Sequence, residues 1–259
     1  MHNALSPLDG RYEKSLDPLR KYFSEEALIF FRVFVEVKWL LFLSAREDIS
    51  LRSFSAEERD LLEKILEDFS DEDAARVKKI EKTTNHDVKA VEYLLKEKIA
   101  GSTLEADSEW IHFSLTSEDV NNLAYALMIK KSIQEVILPE LKIVESEFFA
   151  RAESWAATPL LARTHGQPAS PTTAGKEFLI FAQRISRQIA FLEKQDFLGK
   201  LAGASGNWNA HILAFPEANW FEISEEFVTS LDLVWNPVVP QIEPHDFLAE
   251  ISHTRIRLS

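Results

Sequence analysis

Residues 120–155 read VNNLAYALMIKKSIQEVILPELKIVESEFFARAESW. Apolar side chains recur at helical spacing through Val120, Leu123, Leu127, Ile133, Val136, Ile137, Leu141, Val144 and Phe148. At 1.5 Å per residue a continuous helix here would run about 50–60 Å. A helix of that length with one apolar face needs partners of similar length, so the stretch predicts a long-helix bundle. Pro139 lies inside it and should kink or restart the helix, because it lacks an N–H and its ring crowds the preceding turn.

A second long helical pattern begins at Thr172 or Thr173 and runs to about Phe197, with Gly199 as its expected C-cap. Between the two patterns lies Arg163-Thr164-His165-Gly166-Gln167-Pro168, with Pro159 before it and Pro171 after. A loop held between helices is a common place to present a side chain to a ligand. His165 suits proton transfer near neutral pH, although the same residue also fits a histidine that only bonds within a turn.

Upstream, Ser24-Glu25-Glu26 opens a helix reaching about Arg46, whose core face is Leu28, Phe31, Val35, Trp39 and Phe42. Its apolar run from Phe30 to Leu43 is interrupted by Arg32, Glu36 and Lys38 and is too short for a membrane span of about 20 residues. Ser55 with Glu58 reads as a capping box for the next helix, and Ser70 with Asp73 starts a short helix through Ile80. Lys82-Thr83-Thr84-Asn85-His86-Asp87 then precedes a new helical pattern. Such residues at a helix start fit either an anion site or an ordinary N-cap made by Asn85 or Asp87. Thr116 with Asp119 reads as a capping box, which by itself accounts for Thr116 and Ser117. Arg11 and Tyr12 follow a glycine turn and fit either a phosphate or carboxylate clamp or a solvated terminal loop. Gln241-Ile242-Glu243-Pro244-His245-Asp246 is a proline-braced polar segment. The last pattern starts near His245 and stops after three or four turns, so the bundle reads as incomplete and the chain as truncated. The fold class is therefore all-α, with a helical N-terminal domain over 1–113 and part of a central bundle over 114–259.

Composition narrows the function. A net charge of −13 argues against a general nucleic-acid binder. No cysteine is present, which excludes disulfides and thiolate metal sites and fits a reducing cytoplasm. Met1–Pro7 has no basic region followed by an apolar core, so no signal peptide is read there. The seven histidines make no zinc-spaced pairs, so no metal site is expected.

Taken together, Thr83 to Asp87, Ser114-Leu115-Thr116-Ser117-Glu118-Asp119 with Asn121-Asn122, Arg163 to Ala169, and Gln241 to Asp246 resemble the adenylosuccinate lyase family of the fumarase/aspartase superfamily. The resemblance runs in order from about Ser6 to Glu250. It implies elimination of fumarate from adenylosuccinate to give AMP, and from succinyl-aminoimidazole-carboxamide ribotide, without a cofactor. It further implies His165 as general acid and His86 as the second catalytic histidine. Asn85 and Asp87 would contact substrate, Arg11 and Tyr12 would hold the nucleotide, Thr116 and Ser117 the succinyl carboxylates, and Gln241 the substrate. Lys89 is a further candidate. The family's general base is a serine on a Gly/Ser-rich loop with a Met-Pro-His-Lys-like run, and no such run occurs in these 259 residues. The chain alone is accordingly expected to be inactive. Family members are cytoplasmic homotetramers with sites shared between subunits. The rival readings are a non-catalytic helical oligomerisation module and a related lyase such as argininosuccinate lyase.

Overall fold

The computed structural model describes residues 6–258. The reading of Met1–Pro7 falls largely on 1–5, and those positions and Ser259 lie outside the described residues. A short helix, α1 (Asp17–Phe23), leads into α2 (Glu25–Ser44). Ser24 starts α2, its Oγ accepting the Ala27 N–H at 3.0 Å, with acids in the first turn where the helix dipole favours them. The sequence assigns α2 one core face. The structure buries most of its circumference, with Ile29, Phe31, Val33, Val35, Val37, Trp39, Leu40 and Leu43 all out of solvent and a half-exposed stripe through Phe30, Phe34, Lys38 and Leu41. A helix buried over most of its circumference is a central helix, and α3 (Ala56–Glu67), α4 (Asp71–Thr84) and α5 (Asp87–Ile99) pack on it.

The expected Ser55–Glu58 capping box opens α3, with the Ser55 N–H donating to Glu58 Oε2 at 2.8 Å and the Glu58 N–H to Ser55 Oγ at 3.3 Å. Helix α4 continues past Ile80 to Thr84, because the residue able to stop it is Asn85, in the left-handed region at φ 51° with its N–H on the Glu81 carbonyl.

The long stretch from Val120 is helical in three pieces. These are α6 (Ser117–Ser132), a π-helical turn over Ile133–Ile137, and α7 (Leu138–Ser154). Pro139 sits in the first turn of α7, where a missing N–H costs nothing, and the wide turn just before it makes room for the ring.

The segment between the long helices is a β-hairpin and not an irregular loop. Strand β1 (Pro159–Thr164) pairs antiparallel with β2 (Gln167–Thr173), with Thr164 opposite Gln167. His165 and Gly166 form the tip at φ 49° and 73°, consistent with the two-residue turn whose central residues are both left-handed. Prolines read as loop markers in the sequence, but in a two-stranded ribbon both strands are edges, where proline is tolerated. Helix α8 (Ala174–Glu193) follows, capped by Thr173.

Gly199 does not cap α8. It lies in β3 (Leu198–Gly199), and a Cβ there would meet Leu123 Cδ2 at 2.6 Å and Val228 Cγ1 at 3.1 Å. Close packing requires the glycine. After α9 (Asn209–Ala214) and α10 (Trp220–Ser230), β4 (Val234–Trp235) pairs parallel with β3, and α11 (Asp246–Ile256) ends the described chain.

Contacts divide the chain into two units. The first runs through Lys130 and takes in Phe197–Pro244; the second comprises Lys131–Asp196 and the stretch from His245 on. The sequence reading divides the chain once, between 113 and 114, whereas these units interleave. Within the second, α7 and α8 pack together. A Cβ on Gly175 would run into the Ala152 carbonyl oxygen and lie 2.7 Å from the Ala156 nitrogen. Gly175→Ala should therefore cost about 1–3 kcal/mol, measured as a lower urea midpoint with an unchanged slope.

Candidate functional site

Three residues of α2, at positions i, i+4 and i+7, face the loops that carry the sequence motifs. Arg32 Nη2 lies 2.6 Å from Asp87 Oδ2, and Arg32 Nε donates to Asn121 Oδ1 at 2.8 Å. Glu36 Oε1 is 2.5 Å from His112 Nδ1. Trp39 Nε1 donates to the Phe113 carbonyl at 3.1 Å. Arg32 and Glu36 are buried. The sequence reading recorded both only as interruptions of an apolar run and gave His112 no role. A charge set in an otherwise apolar helix was the available signal, since a buried charge is kept only with a partner.

These contacts hold the segments that carry His86 and Ser117. His86 is the N-cap of α5, and its Nδ1 accepts the Lys89 N–H at 3.0 Å. Its Nε2 stands 3.4 Å from Ser117 Oγ. Asn85, left-handed and exposed, precedes it. Asp87 has both oxygens engaged, Oδ1 by the Val88 N–H at 2.9 Å and Oδ2 by Arg32. Burial pushes the Asp87 carboxyl up, but the Arg32 charge and the backbone N–H outweigh it and hold it below the usual range. Lys89 is paired with Glu92 at 2.7 Å.

The Thr116–Asp119 capping box is half formed. The Thr116 N–H donates to Asp119 Oδ2 at 2.9 Å, while Asp119 is itself fully buried and does more than cap. Its Oδ1 lies 2.7 Å from the Nζ of Lys200, also fully buried. The N–H groups of Ala202 and Gly203 both donate to it at 3.1 Å. Asn122 ties the same segments by donating to the Lys200 carbonyl and accepting the Lys200 N–H. Nearby His211 is also fully buried, and neither ring nitrogen has a hydrogen-bond partner among the described residues. Burial pushes it down to about 4, so it is neutral.

Arg11 and Tyr12 are exposed in a turn, the guanidinium 5.6 Å from the phenol ring centre. Gln241 is exposed beyond β4. No hydrogen bond or ion pair among the described residues joins these three to His86 or Ser117. His165 is exposed at the hairpin tip, in the second unit. Among the described residues no group of three or more His, Asp or Glu is arranged to hold a metal, and no helix is long and apolar enough to cross a membrane.

The chain belongs to a family of lyases: a family profile described as Lyase matches residues 10–258. Among curated proteins it is 51% identical over 258 residues to the adenylosuccinate lyase of Haemophilus influenzae, covering 99% of this chain and 57% of that protein. It is 53% identical over 250 residues to the adenylosuccinate lyase of Escherichia coli, covering 96% and 55%. The chain thus spans little more than half the length of these relatives. The resemblance to the fumarase/aspartase superfamily read from the motifs is therefore met. In fold it matches a fumarate lyase from Mesorhizobium (TM-score 0.70, 22% identity, 92% of this chain and 54% of that one). It also matches a β-carboxy-cis,cis-muconate cycloisomerase from Acinetobacter calcoaceticus (TM-score 0.72, 14% identity, 91% and 53%).

Burial alone would lower the His112 imidazole, but the Glu36 carboxylate overrides it and raises it. The pair's stabilisation is thus fully present below about pH 6.5, the unfolded value, and is lost as pH rises through the raised folded value. Urea unfolding across this window should show that decline, and Glu36→Gln should abolish it. Lys200→Met should cost about 3–5 kcal/mol by stranding Asp119, and the Asp119→Leu/Lys200→Met double variant should lose less than the sum of the singles.

Proposed function

We propose that this chain supplies the nucleotide- and carboxylate-binding part of a carbon–nitrogen lyase that eliminates fumarate from adenylosuccinate, giving AMP, and from succinyl-aminoimidazole-carboxamide ribotide. The observation that carries the reading is the meeting of two motif segments far apart in sequence, His86 Nε2 lying 3.4 Å from Ser117 Oγ. It is supported by the names and identities of the relatives.

Elimination requires a base for the proton beside the succinyl carboxylate, donors for the charge that develops on that carboxylate, and an acid for the departing nitrogen. Thr116 and Ser117 supply donors, and Asn85, next to His86 in the chain, contacts substrate. Asp87 acts through Arg32 and the helix start. Arg11 and Tyr12 take the phosphate end of the nucleotide, and Gln241 a polar edge of the substrate. His165 is the general acid, carried on a hairpin tip whose backbone is set by two left-handed residues. The base is supplied by a segment these 259 residues do not contain. We further propose a cytoplasmic homotetramer. In the second unit, Ile143, Val144, Phe149, Leu179, Ile180 and Phe181 are exposed on α7 and α8, an apolar area suited to packing with further helices. The same observation favours the second reading, a helical oligomerisation module without chemistry.

Calorimetry of the purified chain with AMP separates the two. Binding is expected, weakened about tenfold or more by Arg11→Ala through loss of a charge-assisted contact, with no turnover of adenylosuccinate. Absence of AMP binding would favour the oligomerisation module. Turnover abolished by His165→Ala would place a base within the chain and overturn the assignment of the base.

A further inference from the structure

Arg32 is a buried charge that takes no direct part in the proposed chemistry. Its side chain is 7% exposed, and its two partners sit on different helices. Asp87 is the first residue of α5, and Asn121 lies one turn into α6, four residues beyond Ser117. The guanidinium therefore pins together two helix starts, the one capped by His86 and the one that begins with Ser117. Its planar fork suits this task, since Nε and Nη2 point at separate acceptors in a fixed relation.

The consequence falls on His86. Its Nδ1 accepts the Lys89 N–H, so the proton of the neutral ring sits on Nε2. A proton on Nδ1 would force the ring to give up that bond, and the first turn of α5 would lose its side-chain cap. With Nε2–H facing Ser117 Oγ, His86 donates to the hydroxyl, and the Ser117 O–H is left to donate outward.

We propose that Arg32 is a positioning residue that locks His86 as the Nε2–H tautomer against Ser117, making His86 a hydrogen-bond donor and not the group that moves a proton. The outward donation of Ser117 to a carboxylate rests on the functional reading above. The tautomer and its dependence on Arg32 do not. A merely structural Arg32 would affect stability and leave the ring unchanged.

The test uses the 259-residue chain labelled with 15N-histidine, observed by long-range proton–nitrogen correlation near pH 8, above the ordinary imidazole value of about 6.5. The wild-type chain should show His86 as a single tautomer with Nε2 protonated. Arg32→Met should retain cooperative unfolding yet give a tautomer mixture at His86, about tenfold faster exchange of the Lys89 amide, and no change at His253. Asn121→Ala, which removes one partner without unpairing Asp87, should move His86 the same way and decides the question if Arg32→Met fails to fold. A wild-type His86 carrying its proton on Nδ1 would overturn the tautomer. A His86 spectrum unchanged in a folded variant would overturn the role of Arg32. Fumarate is then titrated into the wild-type chain and should perturb His86. If it does not, while the tautomer result stands, the carboxylate reading falls and the clamp remains.

Discussion

The burial of most of α2 is the constraint from which the site follows. On its buried faces a charged side chain cannot reach water, so each charge there must be met by a built partner or be lost. Arg32 and Glu36 are met by Asp87, Asn121 and His112, and Trp39 adds its indole N–H to the Phe113 carbonyl. All three lie on one stripe of one rigid element. The helix that forms the centre of the core is thus also the template for the loops. A change in its packing would be felt as a shift of the His86 and Ser117 segments.

Those loops need holding. His112 and Ser114 have φ of 61° and 58°, and Asn85 has 51°, a region that costs residues with a side chain about 1–3 kcal/mol and persists only where surroundings enforce it. The bonds from Glu36 and Trp39 fall on His112 and on Phe113 between the strained pair, and the Asn85 turn is followed directly by the His86 cap. Strain here is offset by contacts from α2 and not by the local sequence, which is why the same residues read in isolation look like ordinary caps and turns.

This sets how much was legible. Helix starts such as Ser24 and Ser55 were readable because capping is local chemistry over three or four residues. The all-α class was readable from the period of the apolar positions. The hairpin at His165 was not, because prolines mark loops in sequence and become permissible strand residues only when each strand is an edge. Gly199 was misread as a C-cap because the contacts that demand it come from Leu123 and Val228. Among site residues, those in motifs were named. Arg32, Glu36, His112 and Lys200 were not, since their meaning lies in partners as many as 89 positions away, as for Arg32 and Asn121.

Asp119 shows why a cap can be the lesser role of a residue. As a cap it would contribute about 1 kcal/mol and could remain half exposed. It is instead buried with Lys200, and desolvating two charges costs several kcal/mol each. The cost is answered only because Asp119 also accepts the Thr116, Ala202 and Gly203 N–H groups, and Lys200 donates to the Gly203 carbonyl. An apolar pair of the same volume would avoid desolvating two charges, but it would leave those three N–H groups without an acceptor. What the ion pair provides is therefore placement of the backbone along with acceptors for its donors. It fixes the backbone entering α6, and with it Thr116 and Ser117, from beneath, while Arg32 fixes the same helix from α2.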